Sequence, residues 1–448
     1  MSEQNPDLFR RRFLQLSIVN VLSNIMIPLA GIVDVAFLGH LADLRHLAGV
    51  ALATILFDFL YRTCKFLRMG TTGATAQASG RSDRDEVLLT LLRNSVIALS
   101  VTLVILLFQH PLRELGFFLL NGAPEVEAAG RAYYNARIWG APAVLLNYVA
   151  IGWFLGREQS SKVLAFSVVG NAANVVLDYL LIFRWGWDSS GAGIATAASQ
   201  YLMLLLAFVF IVSEGWLARI PAVARRIFNW DAMKATFELN ADIWIRTLAS
   251  VMLYALFLNL SSFMGTLVLA SNSLLVEVVN LAIFLIEGSA FATETLAGNF
   301  YGIGLNAKLP SLLRLSGIIS LGIGLTFASL FIFVPGSMFG LLTNHLEAIE
   351  EIHHYVLWLL PIIGVLSLVY MLEGYFLGLT KASIIRNSMI IALVFAFLPV
   401  AIVAWRLENI QILWLGLLLF MVARAVTLGW YVPQSFSDFA PPTKNCPS

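Results

Sequence analysis

Long apolar runs alternate with short polar breaks along the chain from residue 13 to residue 431. The runs cover roughly 13–38, 48–76, 87–109, 132–155, 163–184 and 192–213, and then 237–258, 263–292, 310–334, 354–379, 384–405 and 410–431. Each has the roughly 20 residues that a helix needs to cross a bilayer core. In that core only helices and closed barrels satisfy every backbone polar group. The pattern therefore predicts an all-α integral membrane protein with about twelve transmembrane helices. Breaks carry turn residues, as in Asn121-Gly122-Ala123-Pro124 and Gly302-Ile303-Gly304. The longest, with Arg219, Pro221, Arg225, Arg226 and Lys234, falls near the middle. It divides the chain into an N-terminal tail 1–12, an N-lobe 13–214, a linker 215–236, a C-lobe 237–432 and a C-terminal tail 433–448.

Basic residues collect at alternate breaks: Arg10 to Arg12, Arg81, Arg84, Arg157, Lys162, the linker, Lys308, Arg314, Lys381 and Arg386. The opposite breaks are poor in bases, and the one at 344–354 carries Glu347, Glu350 and Glu351. By the positive-inside rule the tails and linker are cytoplasmic. That parity requires an even number of spans and suits a multi-pass protein of a bacterial inner (plasma) membrane. The first run is too long for a signal-peptide core and is expected to stay as a helix.

Composition removes other classes. Of 448 residues, 59% are hydrophobic and 12% charged, about half the charge of a soluble domain, and mean hydropathy is +0.82. Lys+Arg 28 against Asp+Glu 27 gives no footprint for a nucleic-acid partner. Cys64 and Cys446 form neither a plausible disulfide nor a cysteine metal site. There is no Gly-x-x-x-x-Gly-Lys-Ser/Thr, His-Glu-x-x-His or Gly-x-Ser-x-Gly, so no enzyme and no ATP-driven pump is expected. Asp34 and Asp178 lack the Gly-x-Gly-Asp pattern of an intramembrane protease dyad.

The chain also repeats itself. Phe66-Leu-Arg-Met-Gly70 onward can be laid on Phe284-Leu-Ile-Glu-Gly288 at an offset of 218 (284 − 66). Gly152-Trp-Phe154-Leu155-Gly156 matches Gly374-Tyr-Phe376-Leu377-Gly378 at 222 (374 − 152). A duplicated six-helix unit starts and ends on one side, so its copies are parallel, related by an axis along the membrane normal. Two pseudo-symmetric bundles around a central cleft suit alternating access, although the fold alone does not establish it.

A few polar residues sit inside the apolar runs, where a charge costs about 2.5–3.5 kcal/mol on insertion scales. Asp34 follows Pro28, which tends to bend a helix. An acid beside a bend suits proton or cation carriage, and capping a helix end or pairing with an arginine on a neighbouring helix is the structural alternative. In the fifth run Asn171, Asn174 and Asp178 share one helical face, where they can hold a proton, a water or a monovalent cation, or serve as interhelical glue. Thr196 in the sixth run reads by itself as a packing residue. In the second run Asp58, Arg62, Lys65 and Arg68 form one charged stripe, either an ion-pair edge or the lining of a wet cavity. The second half offers Glu277, Glu287 and Glu294 in the eighth run and Glu373 in the tenth. Glu373 has Ile151 as its first-half counterpart, so the halves differ chemically. Glu373, Glu287 and Glu294 are candidates for a second ion or substrate site.

In order along the chain, Val33-Asp34, Leu38-Gly39-His40-Leu41, Phe66-Leu67-Arg68-Met69-x-Thr71-Thr72-Gly73-x-Thr75-Ala76-Gln77-Ala78, Gly152-Trp153-x-Leu155-Gly156, Asn171-x-x-Asn174-x-x-x-Asp178, Glu373-Gly374-x-Phe376-x-Gly378-x-Thr380-Lys381-Ala382 and Arg386-Asn387-Ser388-Met389 resemble the multidrug and toxic compound extrusion (MATE) transporters, DinF branch. The resemblance covers nearly the whole chain. It implies a twelve-helix, two-lobed antiporter exchanging H⁺ or Na⁺ for organic, often cationic, substrates. It lays the family's first-lobe ion site on Asp34, Asn174 and Asp178, with Thr196 at a further polar position, and a helix-10 acid on Glu373. Some relatives carry an acid in helix 7, where Tyr254 to Phe263 here offers only Asn259 and serines; this departure favours H⁺ over Na⁺. The expected partners are a small organic substrate, the coupling ion and membrane lipids, with no cofactor or metal and a monomeric chain. The alternative is a flippase for a lipid-linked or other amphiphilic substrate, for which Arg62, Lys65 and Arg68 would supply a basic cavity. A receptor or scaffold without transport is the third class.

Overall fold

The computed structural model describes residues 6–39, 43–343 and 345–437; the side chains of 6, 8, 25–36, 346 and 437 lie outside that description, as does Cys446. The apolar runs form helices, and the described residues contain no strand. Helix α1 is Pro6–Gly39. Eleven further helices among the described residues are long and apolar enough to span. They are α2 Leu44–Gly80, α3 Arg84–Leu107, α4 Pro124–Gly156, α5 Ser160–Arg184, α6 Asp188–Ser213, α7 Trp230–Phe263, α8 Thr266–Ile303, α9 Asn306–Phe333, α10 Val356–Gly378, α11 Ala382–Arg406 and α12 Ile410–Phe436. With α1 they match the twelve expected spans. Local chemistry sets some ends. Asp83 accepts from the Glu86 N–H at 3.0 Å and caps α3, and Gly304, at φ +81°, closes α8 in a left-handed turn.

Two compact units emerge, one comprising Leu22–Trp244 and the other Met1–Val21 with Ile245–Ser448. The boundaries fall inside α1 and α7, 223 positions apart (245 − 22), so the duplication is visible in how each unit closes. Within each unit the fourth helix of the repeat packs on the second through paired glycines. A Cβ on Gly152 would lie 2.4 Å from the Arg68 carbonyl oxygen, and one on Gly374 2.3 Å from that of Ala290. A Cβ on Gly156 would lie 2.6 Å from the Thr72 carbonyl oxygen, and one on Gly378 2.3 Å from that of Glu294. Only glycine permits this approach. All four partners precede their glycine by 84 residues (152 − 68, 374 − 290, 156 − 72, 378 − 294). The second helices therefore superpose at 222, one turn away from the 218 suggested by Phe66 and Phe284. Residue identities favoured the slipped register, whereas the packing fixes the other.

Two features depart from twelve plain helices. The second span is broken at Cys64 and Lys65 into segments Leu44–Thr63 and Phe66–Gly80. The fifth helix of each unit contains a π-helical turn, Tyr179–Arg184 in α5 and Ala392–Phe397 in α11.

At one end of the 22–244 unit the breaks are tied together by ions. The Glu214 carboxylate accepts from Arg157 at 2.5 Å, from Trp216 Nε1 at 2.7 Å and from Lys162. Arg157 in turn lies over the Trp153 and Trp216 rings at 4.1 and 4.8 Å. Burial opposes ionisation of Glu214, but the hydrogen bonds from Lys162, Trp216 and Arg157 outweigh it and hold its pKa at about 2, against a reference of 4.5. A depressed carboxylate stabilises the fold above its unfolded pKa, and that contribution is lost as pH falls through the folded value. Glu214→Gln is therefore expected to cost about 1–3 kcal/mol at pH 7. Thermal unfolding in detergent should show the gap from wild type narrowing as pH falls from about 5 towards 2.

Candidate functional site

The polar stripe of α5 survives into the structure as a contact. Asn174 Nδ2 donates to Asp178 Oδ2 at 3.0 Å. Both residues are buried, Asp178 completely, while Asn171, one turn earlier, is half-buried. The π turn begins at the residue after Asp178. Such turns shift the hydrogen-bond register of a helix and often mark functional positions. Alongside, in α6, Thr196 donates its hydroxyl to its own helix at the Ala192 oxygen, 2.9 Å away. Its oxygen keeps acceptor capacity, although the geometry serves packing first. Pro28 and Asp34 lie in α1 among the side chains outside the described residues.

The charged stripe is interrupted by a break in its helix. The break at Cys64 and Lys65 separates Asp58 and Arg62, both exposed, from Arg68, which is buried in the second segment, with Lys65 half-buried at the turn. Continuous 3.6-residue spacing predicts one unbroken helix here, and the chain instead makes a tight turn at these two residues. Arg68 Nη1 donates to Asn24 Oδ1 at 3.4 Å. Asp58 faces Arg137, Arg62 and Lys65 electrostatically. Arg137 itself lies 4.6 Å from the Phe57 ring centroid and donates to the Tyr133 hydroxyl at 2.6 Å.

In the other unit Glu373 is clamped. Arg246 Nε donates to its Oε1 at 2.9 Å, a second Arg246 nitrogen reaches Oε2, and Arg424 donates to Oε1. All three side chains are buried. Glu287, also buried, acts electrostatically on Arg246. The cluster thus contains two guanidiniums and two carboxylates. A cation at Glu373 would compete with two guanidiniums that already hold its oxygens. Glu294 is fully buried on the face of α8 that packs against Gly378. Arg246 and Arg424 were missed at the sequence level, although each is a charge inside a predicted span, which is signal enough to single it out.

A family model, MatE, matches residues 20–180 and again 243–403. The chain belongs to the MatE family. The two matches start 223 residues apart (243 − 20), the offset that separates the unit boundaries. DNA damage-inducible protein F of Escherichia coli (strain K12) is 30% identical to this MatE protein over 415 residues, covering 92% of this chain and 90% of that one. The probable multidrug resistance protein NorM of Thermotoga maritima is 24% identical over 357 residues, covering 78% and 75%. Among solved structures, a multidrug resistance MATE family transporter of the MOP superfamily in an outward-facing conformation superposes with a TM-score of 0.84 at 17% identity, covering 96% and 97% of the two chains. That likeness concerns the fold. MatE proteins are transporters and not enzymes. The matched stretches of this MatE protein contain Asp34, Asn174, Asp178, Arg246 and Glu373, whereas Thr196 and Arg424 fall outside them.

Proposed function

We propose that this MatE protein is a secondary active antiporter. It exports amphipathic organic compounds from the cytoplasm in exchange for H⁺, with Na⁺ the less favoured coupling ion, by alternating access in a bacterial inner membrane. Both termini are cytoplasmic and the chain works as a monomer. The observation that carries this reading is the buried Asn174–Asp178 pair directly before a π turn. An ionised carboxylate in the bilayer is costly, protonation removes that cost, and a neighbouring register shift offers a place for the helix to respond. Asp34 and Thr196 complete the proposed coupling site on the residues that the family resemblance assigns. The clamp on Glu373 supports coupling in the 22–244 unit, because both of its oxygens already carry guanidinium partners. The names of relatives such as the Thermotoga protein support organic cargo.

A ligand shifts a conformational equilibrium only through its different affinity for the two states. Proton and substrate must therefore favour opposite states or exclude one another. In proteoliposomes, an amphipathic cationic dye such as ethidium is expected to accumulate under an imposed pH gradient and to stay at background under an equal Na⁺ gradient. The reverse pattern would contradict proton coupling.

A further inference from the structure

A cavity of about 470 Å³ opens on the side of the 22–244 unit between α3, α4, α6 and the linker. Its wall is almost wholly apolar, with Leu91 and Leu146 on one side and Leu205, Phe208, Trp216 and Ile220 on the other. The hydroxyl of Tyr201, one of its few polar groups, is already given to the Trp139 carbonyl oxygen at 2.8 Å. The opening faces outward, since Tyr201, Leu205 and Phe208 are 45%, 55% and 49% exposed. Along α6 it runs from Tyr201 to Ile211, about 15 Å at the helical rise. That is the depth of one leaflet of a ~30 Å hydrocarbon core.

The end of the cavity at Trp216, Leu217 and Ile220 adjoins the Glu214 ion cluster and is covered by the linker helix Ile220–Ile227. That helix buries Val223 completely and leaves Arg225 and Arg226 exposed. It is pinned by the buried Arg93, which donates to the Arg226 and Ile227 carbonyl oxygens at 3.1 and 3.4 Å and to Glu86 at 2.7 Å. Phe228 and Trp230, just beyond it, are 72% and 76% exposed, as aromatic residues at a headgroup boundary commonly are. Arg84, Arg219, Arg225 and Arg226 gather at this end. Asp85 is shared between Arg219 and Arg226 at 3.4 Å each, leaving an excess of positive charge.

We infer that this groove seats one anionic phospholipid of the cytoplasmic leaflet, an acyl chain along α6 between Tyr201 and Ile211 and the phosphate against Arg219 and Arg225. Charge, depth and wall chemistry all select that occupant: a zwitterionic lipid brings the same phosphate together with a headgroup cation that the arginines repel, and an organic cation would meet the arginines unfavourably. The site is independent of the coupling ion, so it can fail without affecting the transport reading, and the converse also holds.

Native mass spectrometry of the purified chain with phosphatidylglycerol and phosphatidylcholine of equal chain length tests the headgroup. Wild type is expected to retain phosphatidylglycerol roughly tenfold better, and Arg219→Gln with Arg225→Gln to remove most of that preference, each charge contributing modestly. Phosphatidylglycerol carrying a diazirine midway along one chain tests the wall. It is expected to label residues 201–211 more than its phosphatidylcholine counterpart does, with excess ethidium leaving the label unchanged. Equal retention of the two lipids, a preference that survives in the double variant, labelling only elsewhere, or displacement by ethidium would each overturn the assignment. The last would make the groove a cargo site.

Discussion

Asp178→Asn is expected to leave the folded protein in place and to remove proton-driven export. The substitution keeps the shape of the side chain and an oxygen for the 3.0 Å bond from Asn174, so that contact is retained. What it removes is the ability to exchange a proton. Under the proposed coupling, the neutral amide stands in permanently for the protonated acid, and the step in which the site discharges its proton no longer exists. Coupling between two ligands corresponds typically to 5–150-fold in affinity. A fall of at least about tenfold in dye uptake driven by a pH gradient is expected on that scale, with dye binding itself retained. Asn174→Ala provides the contrast. It deletes the donor but keeps the acid, so transport should persist with a displaced pH profile. If both variants transported as wild type does, the α5 stripe would be interhelical glue.

The second large effect concerns the clamp. Glu373→Gln removes the carboxylate that Arg246 and Arg424 share and leaves Glu287, which acts on Arg246, as the remaining acid of the cluster. Breaking a buried ion pair by removing one partner costs about 3–5 kcal/mol, whereas replacing all the charges with apolar groups of similar size is often neutral. The single variant is therefore expected to unfold at markedly lower temperature in detergent or to be recovered poorly. The variant that removes every charge of the cluster, Glu373→Gln and Glu287→Gln with Arg246→Met and Arg424→Met, is expected to regain much of the loss. A stable Glu373→Gln protein that had lost only its response to the ion gradient would instead make Glu373 an ion-coupling residue.

Much of the architecture was legible in the sequence because the bilayer restricts the options. Run lengths alone determined the number of helices, and the Gly152/Gly156 and Gly374/Gly378 pairs announced the close contacts that the structure shows. The break at Cys64 and Lys65 was not legible, since both flanking segments are apolar enough to belong to one span. The π turns after Asp178 and Ile391 left no trace in hydropathy, which does not distinguish one helical register from another. The repeat register slipped by a turn because Phe66 and Phe284 are alike in type, while the backbone approach of the glycines decides the alignment. The Asn174–Asp178 contact followed from spacing. The partners of Glu373 did not, because Arg246 and Arg424 lie 127 and 51 positions away in the chain, and only folding could select them.

The central claim is that protons cross through the 22–244 unit and that cargo governs their passage. It is tested most directly by proton flux into proteoliposomes of the purified protein, read by an internal pH dye, with and without ethidium on the cytoplasmic face. Wild type is expected to show flux stimulated by ethidium at any Na⁺ concentration, and Asp178→Asn to show none. Flux that ignores ethidium, that requires Na⁺, or that is unchanged in Asp178→Asn would contradict the account.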